Sequence, residues 1–197
     1  RAREEEMEAA TFLTRFVDYS LLEDILSVKR SKQVLDVILQ ALGNREIKDN
    51  YSISGVGYLR SEDRDAIPQA ADFLLTEENV HTAIVYGIIV KGDREVVVGS
   101  MRTVKVTLNP DEFLKEALGA METGRYYGGG RRGAGGFEIP IGFLANLSED
   151  DLMRMKWRLY DEIIRKKLFA KIGVHGQPPV VRSEPSQSRP EEAQPAK

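Results

Sequence analysis

Residues Gly124 to Gly136 read GRYYGGGRRGAGG, in which seven of thirteen are glycine and the charged ones, Arg125, Arg131 and Arg132, are all arginine. Glycine reaches positive φ without a steric penalty and lets a ligand approach the backbone closely. Successive N–H groups in such a segment can converge on an anion, and guanidinium groups match phosphate or carboxylate oxygens in pairs. The segment therefore reads as an ordered receptor loop for a phosphorylated ligand, its phosphate held by the backbone N–H groups of Gly128, Gly129 and Gly130 and by Arg131 and Arg132. Arg125 is expected to point to solvent, and Tyr126 or Tyr127 to stack on a base or pack under the loop. The two tyrosines and the apolar run FEIPIGFL that follows separate it from a flexible Gly/Ser linker.

Other chemistries are poorly supplied. The chain has no cysteine, which excludes disulfides, thiolate metal sites and a cysteine nucleophile. Its two histidines are His81 and His175, so no Ser-His-Asp set is readily assembled, and His81 is expected to be structural. No G-x-x-x-x-G-K-[ST] occurs. Gly128, Gly130 and Gly133 match G-x-G-x-x-G, but no strand is expected to lead into them and no helix to leave, so a dinucleotide fold is rejected. The acids Glu62, Asp63 and Asp65, and Glu149, Asp150 and Asp151, stand where helices start and suit the positive N-terminal end. A net charge of −3 argues against general coating of nucleic acid, leaving only local contact. No apolar run approaches a membrane span and no signal peptide is visible, so a soluble, cytoplasmic protein without a membrane partner is expected.

The elements that must position the loop follow from periodicity. Helical patterns occupy residues 2–17, with Phe12, Leu13, Phe16 and Val17 on one face, then 19–28, then a segment capped by Ser31 and stopping at Gly43. YSISGVGYL, from Tyr51, has strand composition, and a helix is expected over 62–75. HTAIVYGIIV and REVVVGSMRTV, joined by Lys91-Gly92-Asp93, predict a β-hairpin. Asn109 and Pro110 suit the cap and first position of a helix reaching Leu118. FEIPIGF is expected as a further strand. Ser148 is expected to cap a long, substantially buried final helix, with Leu152, Met155, Leu159 and Ile163 facing one way and Trp157, Tyr160, Ile164 and Leu168 widening the stripe. Five of the eight prolines fall in 174–197, predicting a disordered tail. The expected fold is α/β: a mixed sheet of about five strands flanked by helices, with a helical connector at 1–45, the α/β domain at 46–173 and the tail at 174–197.

With these elements laid out, GGGRRGAGG resembles the GGGHxxAAG signature of the domain associated with DHH-family phosphoesterases, of the nanoRNase and phosphoadenosine-phosphate phosphatase type. Ser100, Arg102 and Thr103 match the family's S-x-R-[ST] element, and Asn109 stands before a short helix as it often does there. The resemblance spans residues 45–145. It implies a substrate-binding domain whose phosphate site includes Ser100, Arg102, Thr103, Gly128, Gly129, Gly130, Arg131, Arg132, Ala134 and Gly135. It implies a manganese cofactor in a preceding catalytic domain, with the first 45 residues as the end of that domain, and short phosphorylated nucleic acids or nucleotides as substrates. Arg131 stands in place of the family's histidine and Gly135 in place of its second alanine, and no Asp-His-His occurs, so this chain alone is expected to hydrolyse nothing. Two other readings stand beside it: an independent RNA-binding module, and a non-catalytic interaction domain. A homodimer is compatible with each.

Overall fold

A computed structural model describes residues 3–26, 29–146 and 149–173. The expected tail at 174–197 and the Ser148 cap lie outside them. The fold is mixed α/β, with helices α1 (Glu4–Leu13), α2 (Tyr19–Leu26), α3 (Lys32–Asn44), α4 (Ala66–Leu74), α5 (Pro110–Leu118) and α6 (Asp150–Gly173). The strands are β1 (Glu46–Lys48), β2 (Tyr51–Arg60), β3 (Thr82–Lys91), β4 (Arg94–Thr103), β5 (Gly128–Arg131) and β6 (Ala134–Pro140). They form one six-stranded sheet in the order β1-β2-β3-β4-β6-β5, in which β2 and β3 are parallel and every other pair is antiparallel.

Strand alternation sends side chains to two cores. Ile84, Tyr86, Ile88, Val97, Met101 and Phe137 face α5 and α6, meeting Leu114, Ile164 and Leu168. Ala83, Val85, Ile89 and Val98 face α3 and α4, meeting Val37, Ile38, Ala41, Ile67 and Leu74. The β3–β4 hairpin turns at Gly92, whose φ is +57°, as its sequence indicates. Asn109 Oδ1 accepts the Asp111 N–H at 3.1 Å and Pro110 opens α5, also as expected. Ser31 Oγ accepts the Val34 N–H at 3.3 Å.

Two expectations need correction, the stop at Gly43 and the burial of the final helix. The mixed sheet of about five strands is borne out with six, the short β1 of three residues joining at its edge through a tight bend at Asp49 and Asn50, whose φ values are 48° and 65°. Gly43 lies inside α3, which runs on to Asn44. The stripe of the final helix is only partly buried, where a substantially buried helix was expected. No residue of α1 is buried, and Met155, Leu159 and Ile163 on α6 are 60%, 49% and 43% exposed. Within the expected stripe it is Ile164 and Leu168 that turn inward, together with Lys156, whose ammonium is paired with Glu95 inside the fold.

Candidate functional site: a glycine-floored groove at the sheet edge

The Gly124–Gly136 segment is not an open loop. Gly128 to Arg131 form β5, Gly133 turns the chain with φ +82°, and β6 begins at Ala134, so the predicted FEIPIGF strand starts three residues earlier than expected. Gly129 pairs with Gly136, Gly130 with Gly135 and Arg131 with Ala134. The predicted convergence of N–H groups is absent at Gly130, whose N–H donates to Asp111 Oδ1 at 3.1 Å. Ladder pairing wins because an extended run of glycines can hydrogen-bond to a neighbouring strand along its whole length, whereas an anion nest needs the chain to curl.

Three of the seven glycines answer to helix packing. A methyl group at Gly128 would lie 2.9 Å from Leu114 Cβ, at Gly130 3.1 Å from Pro110 Cβ, and at Gly135 2.7 Å from Leu114 Cδ1. Helix α5 therefore rests directly on the backbone of the hairpin. Phe137 lies on the same face, its ring filling the space above Gly99, where a methyl would come within 2.1 Å of it.

The opposite face of the hairpin carries Gly129, Arg131, Ala134 and Gly136, and beside them on β4 the residues Ser100 and Arg102. Ser100 is paired with Gly136, and Arg102 with Ala134. Gly136 is exposed, and a methyl there would meet nothing nearer than the Gly99 carbonyl at 3.4 Å. Gly129 and Gly136 form the floor of a groove of about 540 Å³, walled by Arg64, Arg125, Tyr126 and Glu138. Arg64 is ion-paired with Glu138 across it. Tyr126 is half exposed under the ammonium of Lys115, 5.3 Å from its ring centre, whereas Tyr127 packs against the core.

The predicted phosphate residues are thus divided between two faces. Gly128 and Gly129 line the groove, and Ser100 lies one strand from its floor. Arg102 is engaged internally: its Nη1 donates to Ser100 Oγ at 2.8 Å and to the Met101 carbonyl at 3.2 Å, and its Nε lies 2.9 Å from Asp72 Oδ1. Thr103 points to the other face, donating to the His81 carbonyl at 3.0 Å and sharing a 2.8 Å hydrogen bond with Thr82. Gly130 and Gly135 lie under α5, while Arg131 and Arg132 are exposed at the hairpin tip and form no ion pair among the described residues. Arg125 is exposed, as expected, and also stands on the groove wall. Gly136, Arg64 and Glu138 were not anticipated. The alternation within AGGFE could have marked Gly136 and Glu138 as sharing a face, but Arg64 arrives from a distant segment.

Asp111 is held below the usual carboxylate range by the Lys115 hydrogen bond at 2.6 Å and by the Gly130 N–H. Burial and the nearby Lys105 push His81 below the usual imidazole range, and its ring sits edge-on to Tyr51 with centroids 4.8 Å apart. Among the described residues no cluster of three or more histidine or carboxylate groups fits a metal such as manganese. Nor is any helix among them long and apolar enough to cross a membrane.

No family model matches the chain. An uncharacterized protein of Methanocaldococcus jannaschii is 36% identical over 170 residues, which cover 86% of this chain and 32% of that protein. The chain therefore spans about a third of the length of the curated relative it matches. Among solved structures, an exopolyphosphatase-related protein from Bacteroides fragilis aligns with a TM-score of 0.48 and 14% identity, over 84% of this chain and 46% of that one. The pGpG-specific phosphodiesterase PggH from Vibrio cholerae aligns at 0.32 and 14%, over 69% and 40%. The C-Ala domain of Aquifex aeolicus alanyl-tRNA synthetase aligns at 0.33 and 20%, over 61% and 97%.

Proposed function

We propose that this chain is the substrate-binding domain of a DHH-type phosphoesterase, and that the groove on the hairpin holds the phosphate of a short oligonucleotide or nucleoside bisphosphate. The observation that carries the reading is Gly136. Among the described residues no contact requires glycine there, and the missing side chain leaves bare backbone as the groove floor. Bare backbone beside a guanidinium is the arrangement a phosphate group needs for close approach. Arg125 would supply the charge on the wall, Arg131 the charge at the tip, and Tyr126 a face for a base. The residue pattern of Ser100–Thr103 and Gly128–Gly136 supports the family assignment.

In this reading the chain binds and orients, and manganese held by a preceding domain would supply the chemistry of water activation. The contribution of these residues is positioning: the groove fixes the phosphate, and the Arg64–Glu138 bridge sets the width of the opening. The direct test is calorimetric titration of a 5′-phosphorylated dinucleotide into the chain, with its unphosphorylated counterpart as control. Phosphate-dependent binding is expected, weakened about ten- to a hundredfold by Arg125→Ala, the loss of one charge-assisted hydrogen bond. Equal affinity for the phosphorylated and unphosphorylated ligands would overturn the reading.

A further inference from the structure

A cavity of about 670 Å³ opens on the α5–α6 side of the sheet, at the end where β2 begins and β4 finishes. The turn after β4 is held in place there. The Lys105 N–H donates to Thr103 Oγ1 at 3.1 Å, and the Leu108 N–H donates to the Lys105 carbonyl at 3.1 Å, which fixes Lys105 and Thr107 at the opening. Tyr51, at the start of β2, is 7% exposed, its ring stacked on Phe113 with centroids 5.9 Å apart and set edge-on to His81. The Tyr51 hydroxyl forms no hydrogen bond among the described residues. It is not sealed in either, since Ser52 Oγ is the one enclosed side-chain polar atom without a partner among them. A tyrosine this buried, with a hydroxyl both open and unpaired, presents that hydroxyl to the cavity it lines.

The charged side chains on the cavity wall are Lys105, Lys171 and Asp49. Lys171 is bound to Glu116, whereas Lys105 enters no ion pair among the described residues; burial and the Lys105 charge together hold the neighbouring His81 below the usual imidazole range. Lys105 and the hydroxyls of Thr107 and Tyr51 offer donors on three separate side chains. That set matches the three terminal oxygens of a phosphate monoester better than the two coplanar oxygens of a carboxylate. Leu108 and Phe113 add apolar wall, and the volume is far larger than a bare phosphate needs, within the range of pockets that hold small organic ligands. None of these residues belongs to the groove on the hairpin. We propose that this cavity is a second binding site, for a small phosphate monoester with an apolar body, whose phosphate is held by Lys105, Thr107 and the Tyr51 hydroxyl.

The test is titration of the full chain with phenyl phosphate, followed by backbone amide NMR, with inorganic phosphate and benzoate run in parallel. Phenyl phosphate should bind with a dissociation constant on the order of 1 millimolar, shifting the amides of Tyr51 and Lys105–Leu108. Tyr51→Phe keeps the stacked ring and removes only the hydroxyl, and it should weaken binding about tenfold. Lys105→Ala, at an exposed position, should weaken it about tenfold or more. Arg125→Ala, on the groove, should leave these shifts and their midpoint as they are. Thermal unfolding establishes that each variant is folded. Undiminished binding by folded Lys105→Ala or Tyr51→Phe, shifts confined to the groove at Gly128–Gly136, or binding of benzoate or inorganic phosphate as tight as that of phenyl phosphate would each overturn the proposal.

Discussion

Gly135 and Gly136 are adjacent in β6 yet face opposite surroundings, so replacing each by alanine should give opposite phenotypes. At Gly135 the new methyl would lie 2.7 Å from Leu114 Cδ1 and 3.2 Å from both Pro110 Cβ and the Gly129 carbonyl. Ordinary contact begins near about 3.5 Å, so α5 or the hairpin must move by roughly 0.8 Å. Leu114 is fully buried and cannot yield freely, which places Gly135→Ala in the overpacking range of about 1–3 kcal/mol. At Gly136 the methyl would meet only the Gly99 carbonyl at 3.4 Å. The same exchange there reduces the freedom of the unfolded chain, so stability should hold or rise by up to about 1 kcal/mol. Binding should respond the other way. A methyl on the groove floor takes space that a phosphate would enter and should weaken binding roughly tenfold, about 1.4 kcal/mol. Urea unfolding followed by circular dichroism reads the first effect, and calorimetric titration with a 5′-phosphorylated dinucleotide reads the second. Unchanged affinity in a well-folded Gly136→Ala variant would refute the placement of the site. Unchanged stability in Gly135→Ala would refute the account of why the hairpin is glycine-rich.

The buried Lys156–Glu95 pair, with side chains 2% and 5% exposed, makes Lys156→Met costly, by about 3–5 kcal/mol, because it strands a buried carboxylate. The double change Lys156→Met with Glu95→Leu should recover much of that loss in urea unfolding, and a single variant within 1 kcal/mol of wild type would contradict the burial argument. Burial, reinforced by Glu95, pushes the Tyr58 phenol up to about 12. The unfolded chain then loses this proton first, so this group's contribution to stability should fall as pH rises from about 10 to about 12, and ultraviolet titration of wild type against Tyr58→Phe should show the late-ionising phenol. Asp111 occupies the Gly130 N–H and lies 3.0 Å from where a Gly129 side chain would begin. Asp111→Ala should therefore strengthen binding of the phosphorylated dinucleotide roughly severalfold, most clearly at low salt, and weaker binding would show that Asp111 supports the groove.

What was legible in the chain follows from how local each signal is. Asn109-Pro110, Ser31 and Lys91-Gly92-Asp93 act within a few residues, and each marks the cap or turn expected of it. The glycine run was legible as unusual, but its shape was not, because the decision between nest and strand lies with α5 and β4, which arrive from elsewhere in the chain. For α6, periodicity reveals apolar rows without saying which row meets the core. The turn of the helix is fixed by Lys156 reaching Glu95 and by Tyr86 donating to Asp161 at 2.6 Å, two polar contacts that no hydrophobic pattern registers. Arg64 joins the groove only through its bridge to Glu138, seventy-four positions away.

The contact between Asp111 and Gly130 has a further consequence for the solution behaviour of the protein. Strand β5 is the last in the sheet, flat and nearly without side chains, and such an edge offers its free N–H and C=O groups to any extended chain that drifts past. Steric bulk cannot shield it, since α5 demands glycine at Gly128 and Gly130. The carboxylate at the start of α5 occupies a backbone donor on that edge, and Arg131 and Arg132 place like charges at its tip. The sheet is thereby closed to growth at the side where its composition most invites it. Loss of Asp111 should therefore be watched for slow, concentration-dependent formation of β-rich aggregates, visible as thioflavin fluorescence in samples that are otherwise folded.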